Sequence, residues 1–195
     1  MYSNEIRLMS YEIPFLLNPI CNEKQRTKMQ KNHQYYSKRI PHFSLESQDH
    51  ILALYEKHCE NYGRVIKWLS KTPDIKSHKE IKYLYASTNA IVESPNNEKR
   101  LVKINAKTKY KYSDSVPNKI SSNHLIDLYI CMECFDVDII DFIMYRNNDH
   151  LNVQTIRRNS RWWSEYKSLI VNLYTNISDK FNDVKSLTSQ SESAQ

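Results

Sequence analysis

Two cysteines, Cys131 and Cys134, stand at a spacing that metal sites and redox sites both use. A tetrahedral zinc site needs two further ligands, and the nearest histidines on either side are His124 and His150. Neither histidine lies at a zinc-finger spacing, and a redox site would need a strand–helix context that the flanking residues do not indicate. We therefore predict that both thiols pack in a hydrophobic core, with no metal and no cofactor.

Other residue sets that support catalysis do not stand out in the sequence. There is no clear pair of carboxylates, Ser/His/Asp set, Cys/His nucleophile or H-E-x-x-H motif, and the seven histidines are scattered. Glycine occurs once in 195 residues. Dinucleotide fingerprints, P-loops, kinase loops and nucleophile elbows all need several glycines, because only glycine lets the backbone approach phosphate or turn so tightly. We expect that the protein is not an enzyme.

Basic residues are unevenly distributed along a chain of net charge +6. Residues 95–123 carry seven basic and two acidic side chains, whereas residues 41–94 carry seven of each. In the first of these segments, Lys107, Lys109 and Lys111 alternate with other residues that include tyrosines, a pattern that suits either phosphate contacts or a solvated loop. A second cluster, Arg157 and Arg158, lies just before Trp163 and predicts a contact with protein or phosphate.

The scarcity of glycine predicts an all-α fold, because sheets built from tight hairpins need glycine at their turns. Within residues 41–91, apolar residues at helical spacing predict three short helices. Ser44 caps the first, Tyr62 to Leu69 forms the second, and Ser77-x-x-Glu80 is a capping box for the third.

The C-terminal half is predicted to contain longer helices. Residues 124–146 form one helix, or two with a break near Asp136, and a last helix runs from Ser160 to about Leu187. The apolar stripe of the last helix packs within this chain or against another subunit.

The predicted organisation has five parts. They are a polar basic segment (1–40), a three-helix domain (41–94), a basic linker (95–123), a C-terminal helical region (124–187) and a disordered tail (188–195).

Each of the three predicted short helices has one large aromatic residue near it, and these are Phe43, Tyr62 and Tyr83. A His58-x-x-Asn-aromatic turn precedes the second helix. This pattern resembles the SANT/Myb-like, homeodomain-like family. The resemblance implies a three-helix domain whose core these three aromatics form. Because residues 41–94 carry no net charge, the SANT branch, which mostly contacts protein, is the closer likeness.

In that resemblance, Arg64 of the second helix and four residues at the start of the third become candidates for contact with DNA or a partner. Those four are Lys76, His78, Lys79 and Lys82. Ser160-x-x-Trp163 and the last helix add a similarity to the SANT-subunit family of the yeast RNA polymerase I upstream activating factor.

Together, the similarities imply a nuclear, non-enzymatic transcription or chromatin subunit. Its expected partners are other subunits of the complex, DNA through its phosphates, and histones, with no membrane. The alternative is a Myb-like transcription or telomere factor that binds duplex DNA directly with its third helix.

Overall fold

The computed structural model describes residues 7–17, 45–106, 119–146 and 150–192. These residues form four helices and eight strands. The helices are α1 (Ile13–Leu16), α2 (Leu45–Asn61), α3 (Ser122–Phe135) and α4 (Ser160–Glu192). The strands are β1 (Leu8–Met9), β2 (Lys67–Ser70), β3 (Asp74–Ser77), β4 (Leu84–Thr88), β5 (Ala90–Glu93), β6 (Lys99–Ala106), β7 (Ile139–Arg146) and β8 (His150–Arg157). The predicted all-α fold is therefore wrong, and the fold is mixed α/β.

The strands are arranged in two sheets. The larger has five strands in the order β2-β5-β6-β7-β8, and the smaller has three in the order β1-β4-β3. In the larger sheet, β6 and β7 are parallel and the other neighbours are antiparallel. Parallel neighbours require a long crossover, and α3 lies within the connection between β6 and β7.

Strand β6 separates two hydrophobic clusters, because its successive side chains face opposite sides of the sheet. Leu101 belongs to the cluster that includes α3 and the first half of α4. Val102 and Ile104 belong to the second cluster, with Ile51 and Tyr55 of α2. The larger sheet is therefore covered by α3 and α4 on one face and by α2 on the other.

The stretch predicted as helix over residues 124–146 is divided between a helix and a strand. Helix α3 ends at Phe135, and Asp136 adopts the left-handed conformation (φ 55°, ψ 56°) with its N–H bonded to the carbonyl of Met132. The following residues form β7, an interior strand of the larger sheet between β6 and β8. A short apolar run suits a doubly covered strand as well as a buried helix, and periodicity alone cannot distinguish them.

The segment predicted as a three-helix domain contains one helix, α2, followed by strands of both sheets. The residues predicted to face a core from a second helix are exposed instead: Tyr62 to 73%, Val65 to 70% and Leu69 to 42%. Trp68, on the other side of β2, packs edge-on against Tyr55 with ring centroids 6.0 Å apart. The resemblance to a SANT/Myb-like domain is therefore wrong.

Gly63, the one glycine of the chain, closes α2 rather than opening another helix. It has a φ of +66°, and the N–H of Arg64 bonds to the carbonyl of Cys59 at 2.8 Å. This is the geometry of a helix that ends with a left-handed residue, which glycine adopts at little cost.

The last helix begins where the sequence predicts it, at Ser160. The side chain of Asn159 accepts a hydrogen bond from the N–H of Trp162 at 3.0 Å, as a helix N-cap does. Tyr174 stacks on Tyr83, with ring centroids 3.4 Å apart, and fastens α4 to the rest of the fold. No helix among the described residues is both long and apolar enough to cross a membrane.

Candidate functional site

Polar side chains from β6 and α3 meet inside the protein. Lys103 and Asn105 lie on one face of β6, because alternate residues of a strand share a face. His124, Asp127 and Cys131 lie on one face of α3, because steps of three or four residues return to the same side of a helix. We call these five residues the β6–α3 polar ladder.

An ion pair between Lys103 and Asp127 lies at the centre of the ladder. Lys103 Nζ is 2.8 Å from Asp127 Oδ2, and the two side chains are only 13% and 11% exposed. Ser10, just after β1, donates a hydrogen bond from its Oγ to Asp127 Oδ1 at 2.5 Å. Lys103 also donates to Cys131 Sγ at 3.1 Å. Both carboxylate oxygens of Asp127 are therefore bonded to donors of the protein itself.

The charges in the ladder follow from burial and from these contacts. Burial acts to lower the pKa of Lys103, but the charges and hydrogen bonds of Asp127 and Cys131 outweigh it and raise that pKa. Burial raises the pKa of the Cys131 thiol to about 11, although the ammonium group beside it acts in the opposite direction. Burial also raises the pKa of Cys134. Near neutral pH the lysine is therefore charged and both thiols keep their protons.

The outer end of the ladder lies at the N-terminus of α3. Asn105 Nδ2 and His124 Nε2 are 3.5 Å apart, and His124 Nδ1 is 3.1 Å from Ser121 Oγ. Ser121 caps α3 by accepting the N–H of His124. The ring of His124 packs on Phe142, with centroids 5.3 Å apart. Polar contacts thus continue along β6 from the buried ion pair to the partly exposed His124.

A second buried carboxylate, Asp141 of β7, lies on the opposite side of the larger sheet. Its oxygens accept hydrogen bonds from Tyr55 at 2.6 Å, Arg64 at 2.7 Å and Thr155 at 2.6 Å. Arg100 lies 3.9 Å away. Burial raises the pKa of Tyr55, and the negative charge of Asp141 raises it further. Arg64, predicted as a contact residue for DNA or a partner, is thus bound to an internal carboxylate.

Three of the other predicted contact residues come together around the C-terminus of α3, although they are far apart in the sequence. Lys76 of β3 donates to the carbonyl of Phe135 at 3.4 Å, and Lys79 Nζ is 2.8 Å from Asp136 Oδ2. Arg158 forms two hydrogen bonds with Glu133, at 2.8 and 2.5 Å. It also lies 3.2 Å from Asp136. We call Lys76, Lys79 and Arg158, together with Lys82 of the same β3–β4 loop as Lys79, the basic edge. Arg157 lies on the other face of β8, the face on which Thr155 bonds Asp141.

Two further predicted contact residues, His78 and Trp163, pack against each other beside the basic edge. Their ring centroids are 5.1 Å apart. His78 is buried, and its Nδ1 accepts the N–H groups of Glu80 and Ile81, each at 3.1 Å. Lys167 of α4 forms an ion pair with Glu80. The loop from residue 78 to residue 82 is therefore held to α4 and does not form the predicted third helix.

The remaining predicted residues have separate locations. Lys107, Lys109, Lys111 and Phe43 lie outside the described residues. Tyr62 is exposed, and Tyr83 stacks on Tyr174.

Lys103 and Asp127 were predicted in no site, because Lys103 falls in the predicted linker and Asp127 in a predicted helix. One signal was available in the sequence. Residues 102–106 alternate apolar with polar side chains, which is typical of a strand and sets Lys103 and Asn105 on one face.

No model of a protein family matches the sequence, and no curated protein does. The fold does match solved structures. A crystal structure of an alkaline exonuclease from Laribacter hongkongensis matches with a TM-score of 0.65 at 10% identity, over 94% of both chains. The structure of that exonuclease in complex with dAMP matches with a TM-score of 0.66 at 12% identity, again over 94% of both chains.

These matches correct the function expected from the sequence. The prediction of a non-enzymatic transcription or chromatin subunit of the SANT type is wrong. The alternative prediction, a Myb-like protein that binds duplex DNA with its third helix, is wrong too, because both predictions required a three-helix domain. The expectation that the protein is not an enzyme is likewise contradicted, because an exonuclease uses this fold. The nuclear location and the partner subunits stay predictions. By its fold, this chain is similar to an alkaline exonuclease along nearly its whole length.

Proposed function

We propose that this protein binds DNA and that the basic edge contacts the phosphates. The observation that carries the proposal is the fold, which matches two structures of an exonuclease, one of them a complex with dAMP, over 94% of both chains. An exonuclease must hold a DNA strand, and a protein of the same architecture has the same sheets and helices available for that purpose.

The charges at the basic edge support this location. Lys79 and Arg158 are paired with acidic side chains, whereas Lys76 and Lys82 have no acidic partner among the described residues. Both are exposed. Exposed cations without an internal counter-ion are the side chains that gain most from a phosphate, because its binding releases condensed counter-ions from the DNA.

Fluorescence anisotropy with labelled duplex and single-stranded DNA tests the proposal. We expect the double variant Lys76→Ala and Lys82→Ala to weaken binding. The slope of log K against log salt should fall by about 2, roughly one per lost phosphate contact. The matched control removes two exposed lysines elsewhere on the fold, Lys57 and Lys99, and should keep most of the affinity. Equal losses in both variants would contradict the basic edge as the DNA-binding surface.

A second candidate function is hydrolysis of the bound DNA, which the likeness to an exonuclease supports. The test uses DNA labelled at either end, incubated with Mg²⁺ or Mn²⁺, with the products separated on a denaturing gel. Release of nucleotides from one end, at a rate that Lys103→Ala abolishes while circular dichroism shows that this variant is folded, would establish it. Intact DNA at protein concentrations that saturate the anisotropy signal would contradict hydrolysis and leave DNA binding in place.

A further inference from the structure

Nucleases of many folds hydrolyse DNA with divalent cations held between carboxylates, commonly two cations about 4 Å apart. Such cations need several oxygen ligands that carry negative charge and are not already neutralised. A metal site of this kind in the present fold would have to be built from the buried carboxylates of the chain.

The described residues contain four buried carboxylates, and each is already bonded inside the protein. They are Glu12, Asp127, Glu133 and Asp141. Asp127 is paired with Lys103, Glu133 with Arg158, and Asp141 with Arg64. Glu12 accepts the N–H of Met9 at 2.9 Å. Three of the four thus have a basic side chain of this chain as counter-ion.

Two of these carboxylates also lie on opposite faces of the larger sheet. Asp127 faces α3's side of β6, whereas Asp141 is bonded to Tyr55 and Arg64 on the side of α2. Within the described ranges, no three histidine, cysteine, aspartate or glutamate side chains are grouped as metal ligands. The residues flanking Lys103 on its face of β6 are Leu101, fully buried, and Asn105, an amide. Neither adds negative charge beside Asp127.

We infer that the β6–α3 polar ladder does not take a divalent cation, because the Lys103 ammonium group is the counter-ion of Asp127. Oδ2 of Asp127 faces Lys103 and Oδ1 faces Ser10, so a metal ion would have to displace both donors. A dication placed there would also lie beside a buried positive charge, with which it would repel strongly at low dielectric. In terms of the proposed function, DNA binding by this protein then needs no divalent cation.

Calorimetric titration of Mn²⁺ and Mg²⁺ into the full chain without DNA tests the inference directly. We expect no saturable heat up to about 1 mM metal. Saturable Mn²⁺ binding that is lost in Asp127→Asn but kept in Asp136→Asn, an exposed carboxylate next to the same helix, would overturn the inference. Circular dichroism of both variants checks that each is folded. If neither variant loses a saturable site, the metal binds elsewhere and the inference about the ladder stands.

The DNA arm of the test compares anisotropy in EDTA and in Mg²⁺ at equal ionic strength. We expect the dissociation constants in EDTA and in Mg²⁺ to agree within about twofold, because the ionic strength is the same under both conditions. A tenfold gain in Mg²⁺ that the Asp127→Asn variant lacks would also overturn the inference. Absence of DNA binding under both conditions would instead reject the proposed function, while the metal titration would still decide the inference.

Discussion

Lys103 and Asp127 form an ion pair, 2.8 Å long, that joins the central strand β6 to helix α3 in the interior of the protein. The pair is also bonded to Ser10 at the start of the described chain. Three segments distant in sequence therefore meet at one charge pair. Because that pair is almost fully buried, its removal tests both the fold and the candidate site.

We expect Asp127→Ala to lower the free energy of unfolding by about 3–5 kcal/mol, because it leaves the Lys103 charge buried without a partner. Urea unfolding followed by circular dichroism measures the change. The control is Asp136→Ala, which removes an exposed carboxylate that pairs with Lys79 and Arg158 on the surface. That variant should lose only a small part of this stability. Similar losses in the two variants would mean that the buried pair has no special role in stability.

Replacing both members of the pair should cost less than replacing either one. The double variant Lys103→Met and Asp127→Leu buries no uncompensated charge, and exchanges of buried ion pairs for apolar residues are often neutral or stabilising. Each single replacement leaves one charged group in the core. Unfolding free energies of the two single variants, the double variant and the parent form a double-mutant cycle. Additive losses would contradict direct coupling between Lys103 and Asp127.

We expect His78 to make stability depend on pH. Burial lowers its pKa from the ordinary value of 6.5, against the opposing charges of Glu133 and Glu80, and Lys167 and Arg158 lower it further. Since the folded state holds the proton less tightly, the contribution of His78 is present above the unfolded pKa and is lost as the pH falls through the folded pKa. Protonation would also remove the acceptor of two backbone N–H groups.

Thermal unfolding from about pH 7.5 to about pH 5 measures this effect. The variant His78→Asn, which keeps a side-chain acceptor, should lose less stability over this range than the parent. The control is His150→Asn, a change at an exposed histidine of β8, and it should leave the pH dependence of the parent unchanged. An identical pH dependence in His78→Asn and in the parent would show that another group is responsible.

The thiols of Cys131 and Cys134 should react slowly with iodoacetamide at about pH 8 in the folded protein, because burial raises the pKa of both. After denaturation both should be alkylated within the same incubation time. Peptide-level mass spectrometry follows each cysteine separately. Rapid alkylation of Cys131 in the folded state would show that the ladder opens to solvent.

Local signals in the sequence predicted some elements of this fold correctly. Ser160 marks the start of α4, and the apolar residues Ile51, Leu52 and Tyr55 mark the buried face of α2. In the sequence of α4, apolar side chains recur every three or four residues from Trp162 to Val184. A signal of that length depends little on what packs against it.

Shorter segments were not predictable in the same way. Residues 139–146 are apolar on both sides, as a buried helix or a buried central strand would be, and only their pairing with β6 and β8 decides that they form β7. Residues 62–69 fit a helical spacing, yet Tyr62 and Val65 are exposed and the segment contributes to β2. Propensity over so few residues is weaker than the hydrogen bonds of a sheet.

The sequence by itself determined the start of α4, the burial of Cys131 and Cys134, and the overall basic charge. Tertiary structure alone decided that Lys103 is the partner of Asp127 and that Lys76, Lys79 and Arg158 meet around the C-terminus of α3. The physical reason is that ion pairs and charged surfaces depend on distances between residues far apart in the chain, 24 residues for the Lys103–Asp127 pair. Those distances are set by strand order and helix packing, which no local pattern encodes.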